Sequence, residues 1–475
     1  MREIYLRNTL TKKKELVEPI DPGKIRFYQC GPTVYWVQHV GNMRAVVLAD
    51  LIHRTFEYVG YDVKFVRNYT DVGHLVSDDD EGEDKMTKGA KREGLSPDVI
   101  ADKYIRMFEE DTQSLNILSP DLKPRATEFV PQMIKAVQLL IEKGYAYVTP
   151  KAVYFDTSKA ENYTALSGQV LEKNIAGAGH GEVEDSDKRN PEDFVVWVFK
   201  TGIHKNALQY WGSPFESLEV ENGEGFPGWH LECSVMLQEL LGDTVDVHMG
   251  GIEHIPVHHT NEIAQSEALT GEKFVNYWLH NEHIMVNGKK MSKSAGTSYV
   301  LSDLVERGYD PLDLRYFFLG AHYRSKQNFT WEALDGARSA REKLVAAVAK
   351  LRGAVDSSEV DSEWKEKFLG KLSDDINVPE ALALVWEMMK SDLVDDKKLG
   401  TILDFDKVLG LNLAAISSGT EASEDLKEKI EDLIEKRTLA KSERDFQAAD
   451  AIREELGEMG IALEDTQDGT VWRLG

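Results

Sequence analysis

Hydrophobic and polar residues follow two different periods in the first part of the chain. Residues 24–30 alternate, which predicts a strand with Phe27 on one face and Tyr28 on the other. An amphipathic helix follows and stops at Gly60, and residues 62–66 predict the next strand. A strand, a loop, a helix and a parallel strand in this order predict an α/β fold with a doubly wound parallel sheet, which binds its ligand at the carboxyl ends of the strands.

The rest of the chain interrupts this pattern, resumes it and then becomes helical. The interruption covers residues 116–225, and the βα pattern returns after it. From about residue 331 the sequence is mostly helical and highly charged, and the Ser/Gly/Thr patch at 417–420 predicts a break. The predicted segments are a helix at 129–143, a strand at 146–155, a loop-rich stretch at 156–193, a helix at 229–241, a strand at 246–249 and a helix at 260–269.

Length and composition narrow the class of protein. A chain of 475 residues is too long for one ordinary core, and 42% hydrophobic and 29% charged residues are typical of globular proteins. No apolar run reaches the roughly 18 residues of a membrane span, and the polar N-terminus lacks the apolar core of a signal peptide, so we expect a cytoplasmic protein. The net charge of −26 argues against nucleic-acid binding only if no face is basic. The acidic run at 78–84 predicts a solvated loop, because it lacks the spacing of a calcium site.

Two short motifs fit phosphate chemistry. His-Val-Gly-Asn at 39–42 puts an imidazole and a carboxamide at the start of the predicted helix, where backbone N–H groups and the helix dipole favour phosphate. Lys-Met-Ser-Lys-Ser at 290–294 puts two lysines and two hydroxyls on a glycine-flanked loop, which suits charge developing on a triphosphate. Alone, the first could be a turn before a helix and the second a solvated basic turn. Together and in this order they resemble the paired ATP signatures of class I aminoacyl-tRNA synthetases.

Four side chains of zinc-compatible type fall near the same end of the predicted sheet. His258 and Glu262 lie four residues apart on one helix face, whereas His259 is predicted to point about 100° away. Such a pair alone is common on protein surfaces, and two cysteines in a cytosolic chain are ordinarily buried small hydrophobes. Cys30 at the end of the first strand and Cys233 in the helix at 229–241 change this interpretation. Two thiolates, one imidazole and one carboxylate suit zinc.

Longer stretches resemble the cysteinyl-tRNA synthetase family nearly from end to end. They are CGPTVY at 30–35, PGWHLECS at 227–234, HHTNEIAQSEA at 258–268, DINVPEAL at 375–382 and the segment at 445–473. The resemblance implies a class I synthetase with a Rossmann-type sheet, a connective insertion and a mostly α-helical anticodon-binding region. It implies that the enzyme activates L-cysteine with ATP, releases pyrophosphate, and transfers cysteine to the 3′ end of tRNA-Cys. One zinc ion on Cys30, Cys233, His258 and Glu262 would prefer the thiolate of cysteine to the hydroxyl of serine, a distinction that steric fit makes poorly.

The resemblance also implies roles for other residues. His39 and Asn42 would stabilise the transition state at the α-phosphate, Lys290 and Lys293 would hold the leaving pyrophosphate, and Mg²⁺ would accompany ATP. The implied ATP-binding residues are His39, Gly41, Asn42, Lys290, Met291, Ser292, Lys293 and Ser294. The implied cysteine-binding residues are Trp229, Thr70 and Glu253, and those offered to tRNA are Arg437, Lys441, Arg444, Arg453, Trp472 and Arg473. For each of the tRNA residues the alternative is a solvated helix face. The family implies a monomer.

The predicted boundaries follow from these assignments. The predicted units are the first half of the catalytic domain at 1–115, the insertion at 116–225, the second half of the catalytic domain at 226–285, the signature loop and stem-contact region at 286–330, a helical-bundle anticodon-binding domain at 331–415 and a small C-terminal domain at 416–475.

The chain departs from the usual family pattern in three places. Glu253 replaces an aspartate before the double histidine, and Asn42 replaces the second histidine of the first motif. After Asp71 the usual acidic pair gives way to Val72-Gly73-His74 and a long acidic loop. Substrate contacts of Glu253 and of the loop at 72–84 are therefore left open.

Three other functional hypotheses remain open from the sequence. A related ligase that joins cysteine to an amino-sugar would share the zinc and ATP residues but lack a full anticodon domain. A noncatalytic tRNA-binding or zinc-binding paralogue would not need His39, Lys290 and Lys293. A nucleotidyltransferase on the same fold should be shorter and lack Cys233.

Overall fold

The computed structural model describes most of the chain. The described residues are 2–73, 85–169, 186–291, 297–355, 357–416, 424–442, 445–458, 461–466 and 469–474. Their strands are β1 (Tyr5–Asn8), β2 (Lys13–Leu16), β3 (Lys24–Gln29), β4 (Asp62–Arg67), β5 (Ala146–Val148), β6 (Ala152–Phe155), β7 (Phe194–Phe199), β8 (Gly225–Pro227), β9 (Val245–Gly251), β10 (Val275–Asn281), β11 (Ile284–Val286), β12 (Lys289–Lys290), β13 (Gln327–Phe329), β14 (Ile461–Thr466) and β15 (Gly469–Leu474). Their helices are α1 (Val40–Tyr58), α2 (Lys85–Glu93), α3 (Pro97–Ser114), α4 (Val130–Glu142), α5 (Trp229–Leu241), α6 (His258–Thr270), α7 (Leu301–Glu306), α8 (Pro311–Leu319), α9 (Trp331–Ala354), α10 (Ser362–Leu372), α11 (Val378–Lys390), α12 (Asp395–Leu409), α13 (Glu424–Ser442) and α14 (Phe446–Glu458).

A parallel sheet in the order β10-β9-β3-β4 forms the centre of the fold. β3 pairs with β4 from Lys24 opposite Asp62 to Gln29 opposite Arg67, with α1 as the crossover, so the predicted βαβ unit is confirmed. β9, from the second half of the pattern, pairs with β3 on its other side. Segments more than 200 residues apart therefore end side by side at the carboxyl edge of one sheet, where the sequence predicts a ligand.

Each face of this sheet packs against a separate hydrophobic core. Phe27 belongs to the core that includes α1 and the helices of the region after residue 331. Tyr28 belongs to the other core, with α5, α6 and the insertion. The predicted alternation of β3 is therefore confirmed, and Cys30, two residues after Tyr28, ends on the α5 and α6 side.

The insertion forms an antiparallel sheet, β5-β6-β7-β8, beside α4. Its helix lies where the sequence predicts one, but the single strand expected at 146–155 is two strands, because the chain turns at Thr149–Lys151. β7 is a fully buried run that the sequence analysis did not assign. β8 leads directly into α5, so the insertion holds the start of that helix beside the central sheet.

Helices dominate after residue 331, as predicted. α9 to α12 pack on α1 and α8 through the first core. α13 and α14 form a pair that continues into the β14–β15 hairpin. Within the part of the chain that the structure describes, no helix combines the length and the apolar character that crossing a bilayer requires.

Candidate active site

A cavity of about 380 Å³ opens at the carboxyl edge of the central sheet. Cys30, Cys233 and His258 line one part of it, and His39 and Asn42 line another. The volume lies within the usual range for small-molecule sites. Residues that the sequence assigns to metal and to phosphate therefore share one cavity.

The four predicted metal ligands converge at this cavity. The Sγ atoms of Cys30 and Cys233 are 3.8 Å apart, and Cys30 Sγ lies 3.6 Å from His258 Nε2 and 3.9 Å from Glu262 Oε1. Two sulfurs bound to one tetrahedral zinc at about 2.3 Å are about 3.8 Å apart. The spacing and the donor types fit a zinc ion.

His259 lies closer to this cluster than the sequence predicts. Its Nε2 is 3.4 Å from Cys30 Sγ and 4.0 Å from Glu262 Oε1, so the expectation that it points away is wrong. α6 is buried on nearly all sides, which leaves both histidines facing protein. His259 Nδ1 lies 2.7 Å from His280 Nε2, and this contact holds its ring in place.

Burial and the neighbouring groups shift the ionisation of each member of the cluster. A hydrogen bond with Cys30 lowers the pKa of the Cys233 thiol to about 6. Burial raises the pKa of Cys30 well above its usual range, so Cys30 keeps its proton. Burial acts to raise the pKa of Glu262 as well, but His258 and His248 outweigh it and lower that pKa. Burial acts to lower the pKa of His258, but Glu262 and Cys233 outweigh it and raise that pKa to about 10. A thiolate and a carboxylate packed in a dry site favour a nearby positive charge, which a bound metal ion would supply.

Two further histidines orient the predicted ligands, and the sequence analysis missed both. His248 Nε2 lies 2.9 Å from Glu262 Oε2, and His230 Nδ1 lies 3.0 Å from His258 Nδ1. Such partners fix the direction and the protonation of metal ligands. His248 lies on β9 and His230 on α5, and nothing in the spacing of either predicts that it faces this cluster.

The first phosphate motif caps helix α1. The side chain of His39 accepts a hydrogen bond from the Asn42 backbone N–H at 3.2 Å, and Asn42 Oδ1 accepts one from the His39 N–H, also at 3.2 Å. A β-carbon at Gly41 would lie 3.0 Å from the His39 ring and 3.0 Å from Ile284, so glycine leaves room for that ring. The motif thus presents the positive end of a helix of 19 residues to the cavity.

The second phosphate motif is anchored beside the first. Lys290 ends the short strand β12, which pairs with β11, and Met291 packs on the first core. After the loop, the Tyr299 carbonyl accepts a hydrogen bond from the Val40 N–H at 2.8 Å. The loop is therefore anchored on both sides, at β11 before it and at the start of α1 after it. Ser292, Lys293 and Ser294 lie outside the described residues, as does the side chain of Lys290.

The predicted cysteine-binding residues also line the cavity. Trp229 stacks on His258 with ring centroids 4.2 Å apart. Thr70 is buried and its hydroxyl accepts a hydrogen bond from Asn68. Glu253 is half exposed and lies 3.5 Å from His283 Nδ1. His254 also lines the cavity, and burial together with His258 lowers its pKa to about 4, so it is neutral at pH 7.

Among the side chains that the structure describes, those predicted to contact tRNA separate into two groups. Arg437 on α13 is only 4% exposed and donates a hydrogen bond to Thr470, so its position favours packing of the hairpin over a direct tRNA contact. Lys441 and Arg453 are exposed. Arg444 and the side chains of Trp472 and Arg473 lie outside the described residues.

Family models match two parts of the chain. Residues 16–339 match the model of the class I (C) tRNA synthetase catalytic domain, and residues 423–473 match the anticodon-binding domain of cysteinyl-tRNA ligase. The chain is 41% identical to cysteine–tRNA ligase of Treponema denticola, with 99% of each chain covered. It is 40% identical to cysteine–tRNA ligase 1 of Burkholderia lata, over 98% of this chain and 96% of the relative, and 40% identical to the enzyme of Chlorobaculum tepidum, over 99% of both.

Solved structures share the fold at much lower identity. A methionyl-tRNA synthetase of Mycobacterium tuberculosis bound by methionyl-adenylate superimposes with a TM-score of 0.54 at 14% identity, covering 82% of this chain and 90% of that one. A leucyl-tRNA synthetase of Agrobacterium radiobacter in a ternary complex gives 0.57 at 12% identity, over 84% and 85%. These likenesses confirm the predicted class I α/β fold.

Proposed function

The chain belongs to the cysteinyl-tRNA synthetase family, and we propose that it selects cysteine through one zinc ion held by Cys30, Cys233, His258 and Glu262. It is a cysteine–tRNA ligase, so its substrates are ATP, an amino acid and tRNA. The matches cover the chain from end to end, including the C-terminal region that a cysteine:amino-sugar ligase would lack.

One observation carries the metal proposal. Donor atoms from β3, α5 and α6 meet with the sulfur–sulfur spacing of a tetrahedral zinc site. When bound, zinc would supply an open position that favours a soft thiolate over a hydroxyl. His248 fixes the orientation of the Glu262 side chain, and His230 fixes that of His258. Trp229, stacked on His258, forms the wall of the cavity beside these proposed ligands.

The other end of the cavity would perform activation. His39, Gly41 and Asn42 would bind the triphosphate at the N-terminus of α1, with Mg²⁺ accompanying ATP. The cysteine carboxylate attacks the α-phosphorus, and the bond to pyrophosphate breaks. Lys290 and Lys293, with Met291, Ser292 and Ser294 in the same loop, would hold the leaving pyrophosphate. The pairing of Tyr299 with Val40 supports this role, because it anchors that loop to the phosphate-binding helix.

The remaining assignments complete the proposal. Thr70 and Glu253 would contact the amino-acid backbone, since both line the cavity beside Cys30. Lys441, Arg444, Trp472 and Arg473 would contact tRNA, whereas burial of Arg437 supports a packing role. A cytoplasmic monomer and the domain boundaries drawn from the sequence also belong to this proposal. The acidic run at 78–84 lies outside the described residues.

Metal analysis combined with two activity assays tests the proposed function. We expect one zinc per chain, cysteine-dependent exchange of pyrophosphate into ATP, and charging of tRNA-Cys. Active protein purified without any bound metal would overturn the zinc proposal. Exchange without tRNA charging would instead indicate transfer of cysteine to another acceptor.

A further inference from the structure

Tyr28 lies directly beneath the metal cluster on the same face of the sheet. It precedes Cys30 by two residues on β3, so the two side chains point to the same side. Tyr28 is fully buried and belongs to the same core as Cys233. His248 is its cross-strand neighbour on β9, and the two rings meet edge to face with centroids 5.1 Å apart. The ring is therefore held between two strands that both supply residues to the cluster.

The hydroxyl of Tyr28 has no hydrogen-bond partner of ordinary geometry, although it is buried. Of the groups around this hydroxyl, Cys233 interacts with it most strongly, through its charge and a side-chain contact, ahead of Cys30 and Glu262. A phenol is a hydrogen-bond donor near neutral pH, and the acceptors beside it are the predicted metal ligands. A buried donor without an acceptor is costly, whereas a thiolate is a strong acceptor for it.

We propose that the Tyr28 hydroxyl donates a hydrogen bond to the Cys233 thiolate in the metal-bound protein and so positions that ligand. The inference rests on the proposed zinc site. Tyr28 is a positioning residue, because it acts through Cys233. Its hydrogen bond fixes the direction of the sulfur lone pairs and withdraws negative charge from them, which leaves the metal a better acceptor for the thiolate of the substrate.

Tyr28→Phe removes the hydroxyl and keeps the ring. Loss of such a partner costs about 10- to 100-fold in metal affinity, so competition with a chelator should show zinc binding weakened by that factor. In cobalt-substituted protein the sulfur-to-metal charge-transfer band should shift. Tyr154→Phe is the matched control, because Tyr154 is only 1% exposed but lies on β6 of the insertion sheet. It should change neither readout.

The outcome that overturns the proposal is equally definite. If Tyr28→Phe kept the zinc affinity and the cobalt band of the unmodified chain, the hydroxyl would not act on the metal ligands. An equal loss of affinity in Tyr28→Phe and Tyr154→Phe would show a general packing effect and would also overturn it.

A second measurement avoids dependence on the folding of the variant. Replacing tyrosine throughout the chain by 3-fluorotyrosine makes the phenol a stronger donor with little change of shape. The cobalt charge-transfer band reports on sulfur bound to the metal. In the fluorinated protein it should shift in the direction opposite to its shift in Tyr28→Phe. If Tyr28→Phe does not fold, a detectable shift in the fluorinated protein is the expected result. An unchanged band in the fluorinated protein would overturn the proposal.

Failure of this inference differs from failure of the proposed function. If the unmodified chain binds neither zinc nor cobalt, the metal site itself is wrong. If it binds both, and the hydroxyl of Tyr28 affects neither affinity nor spectrum, only the role of Tyr28 is wrong.

Discussion

The two ends of the cavity are built in different ways. At the metal end, buried side chains from β3, α5 and α6 contact one another directly, and histidines behind them fix their directions. At the phosphate end, the capped start of α1 presents backbone N–H groups, and a hydrogen bond from Val40 to the Tyr299 carbonyl holds the second motif beside it. The difference matches the two proposed tasks. Choosing sulfur over oxygen needs fixed donor atoms, whereas holding a triphosphate needs positive charge spread over several groups.

The largest expected effect comes from damage to the metal end. Cys233→Ser removes a sulfur donor, so bound zinc should be lost and the KM for cysteine should rise by more than about 100-fold, beyond the cost of losing an outer partner. Binding of ATP should persist, because the helix start is untouched. Metal analysis and pyrophosphate exchange measure both. If ATP binding fell as far as cysteine binding, the two ends would not be separate.

Damage to the phosphate end should give the opposite result. Lys293→Ala should slow activation by about 100-fold, the size expected for removing one electrostatic contact to the transition state. Zinc content and cysteine binding should stay unchanged. Lys289→Ala is the matched control, since Lys289 is exposed beside the same motif and has no assigned role. An equal loss in both variants would reject the specific role of Lys293.

A third variant tests the buried ion pair that supports helix α1, whose start forms the phosphate end of the cavity. Arg315 on α8 is fully buried and donates hydrogen bonds to Asp50 of α1 and to the Leu409 carbonyl at the end of α12. Arg315→Met leaves the Asp50 carboxylate without this partner and should lower the free energy of unfolding by about 3–5 kcal/mol. Arg338→Met, which removes an exposed pair with Glu342, should cost at most about 1 kcal/mol. Urea unfolding measures both, and equal effects would contradict the account.

The same ion pair predicts a pH dependence. Burial acts to raise the pKa of Asp50, but Arg315 and Arg54 outweigh it and leave the pKa lowered. A carboxyl with a lowered pKa in the folded state stabilises the fold above its unfolded pKa of about 3.9, and this stabilisation is lost as the pH falls below that value. The unmodified chain should therefore lose more stability than Arg315→Met between pH 5 and pH 3, on the scale of about 1 kcal/mol. Parallel acid titration curves would contradict this.

The smallest expected effect separates Lys441 from Arg437. Lys441→Ala should raise the KM for tRNA about threefold and reduce the salt dependence of binding by about one phosphate contact. Arg437→Met should lower stability instead, because Arg437 is buried beside the hairpin. Measuring tRNA binding at several salt concentrations distinguishes a tRNA contact from a packing role. A changed salt dependence in Arg437→Met would show that Arg437 contacts tRNA after all.

The sequence predicted most of the central sheet because its signals are local. The alternation of β3, the helical period of α1 and the stop at Gly60 each depend on neighbouring residues, and all were confirmed. The split of 146–155 into two strands was missed because the apolar residues on either side of Thr149-Pro150-Lys151 were taken as one strand, although this polar, proline-containing step is a turn signal.

The sequence predicted the four side chains that we propose as metal ligands, but not their surroundings. A helical wheel gives the angle between His258 and His259, yet it says nothing of what covers the other side of α6. His248 and Tyr28 were not assigned to the site because their facing depends on β9 pairing with β3, a contact between segments about 220 residues apart. Arg437 looked like a surface base because the sequence does not show that the hairpin covers it.

Removal and return of the metal in the unmodified chain tests the central claim most directly. A chelator strips the zinc, and binding of cysteine, of serine and of ATP is then measured before and after zinc is added back. We predict that the stripped protein binds ATP normally, loses its preference for cysteine over serine, and regains it with zinc. A stripped protein that still prefers cysteine to the same degree would contradict the account.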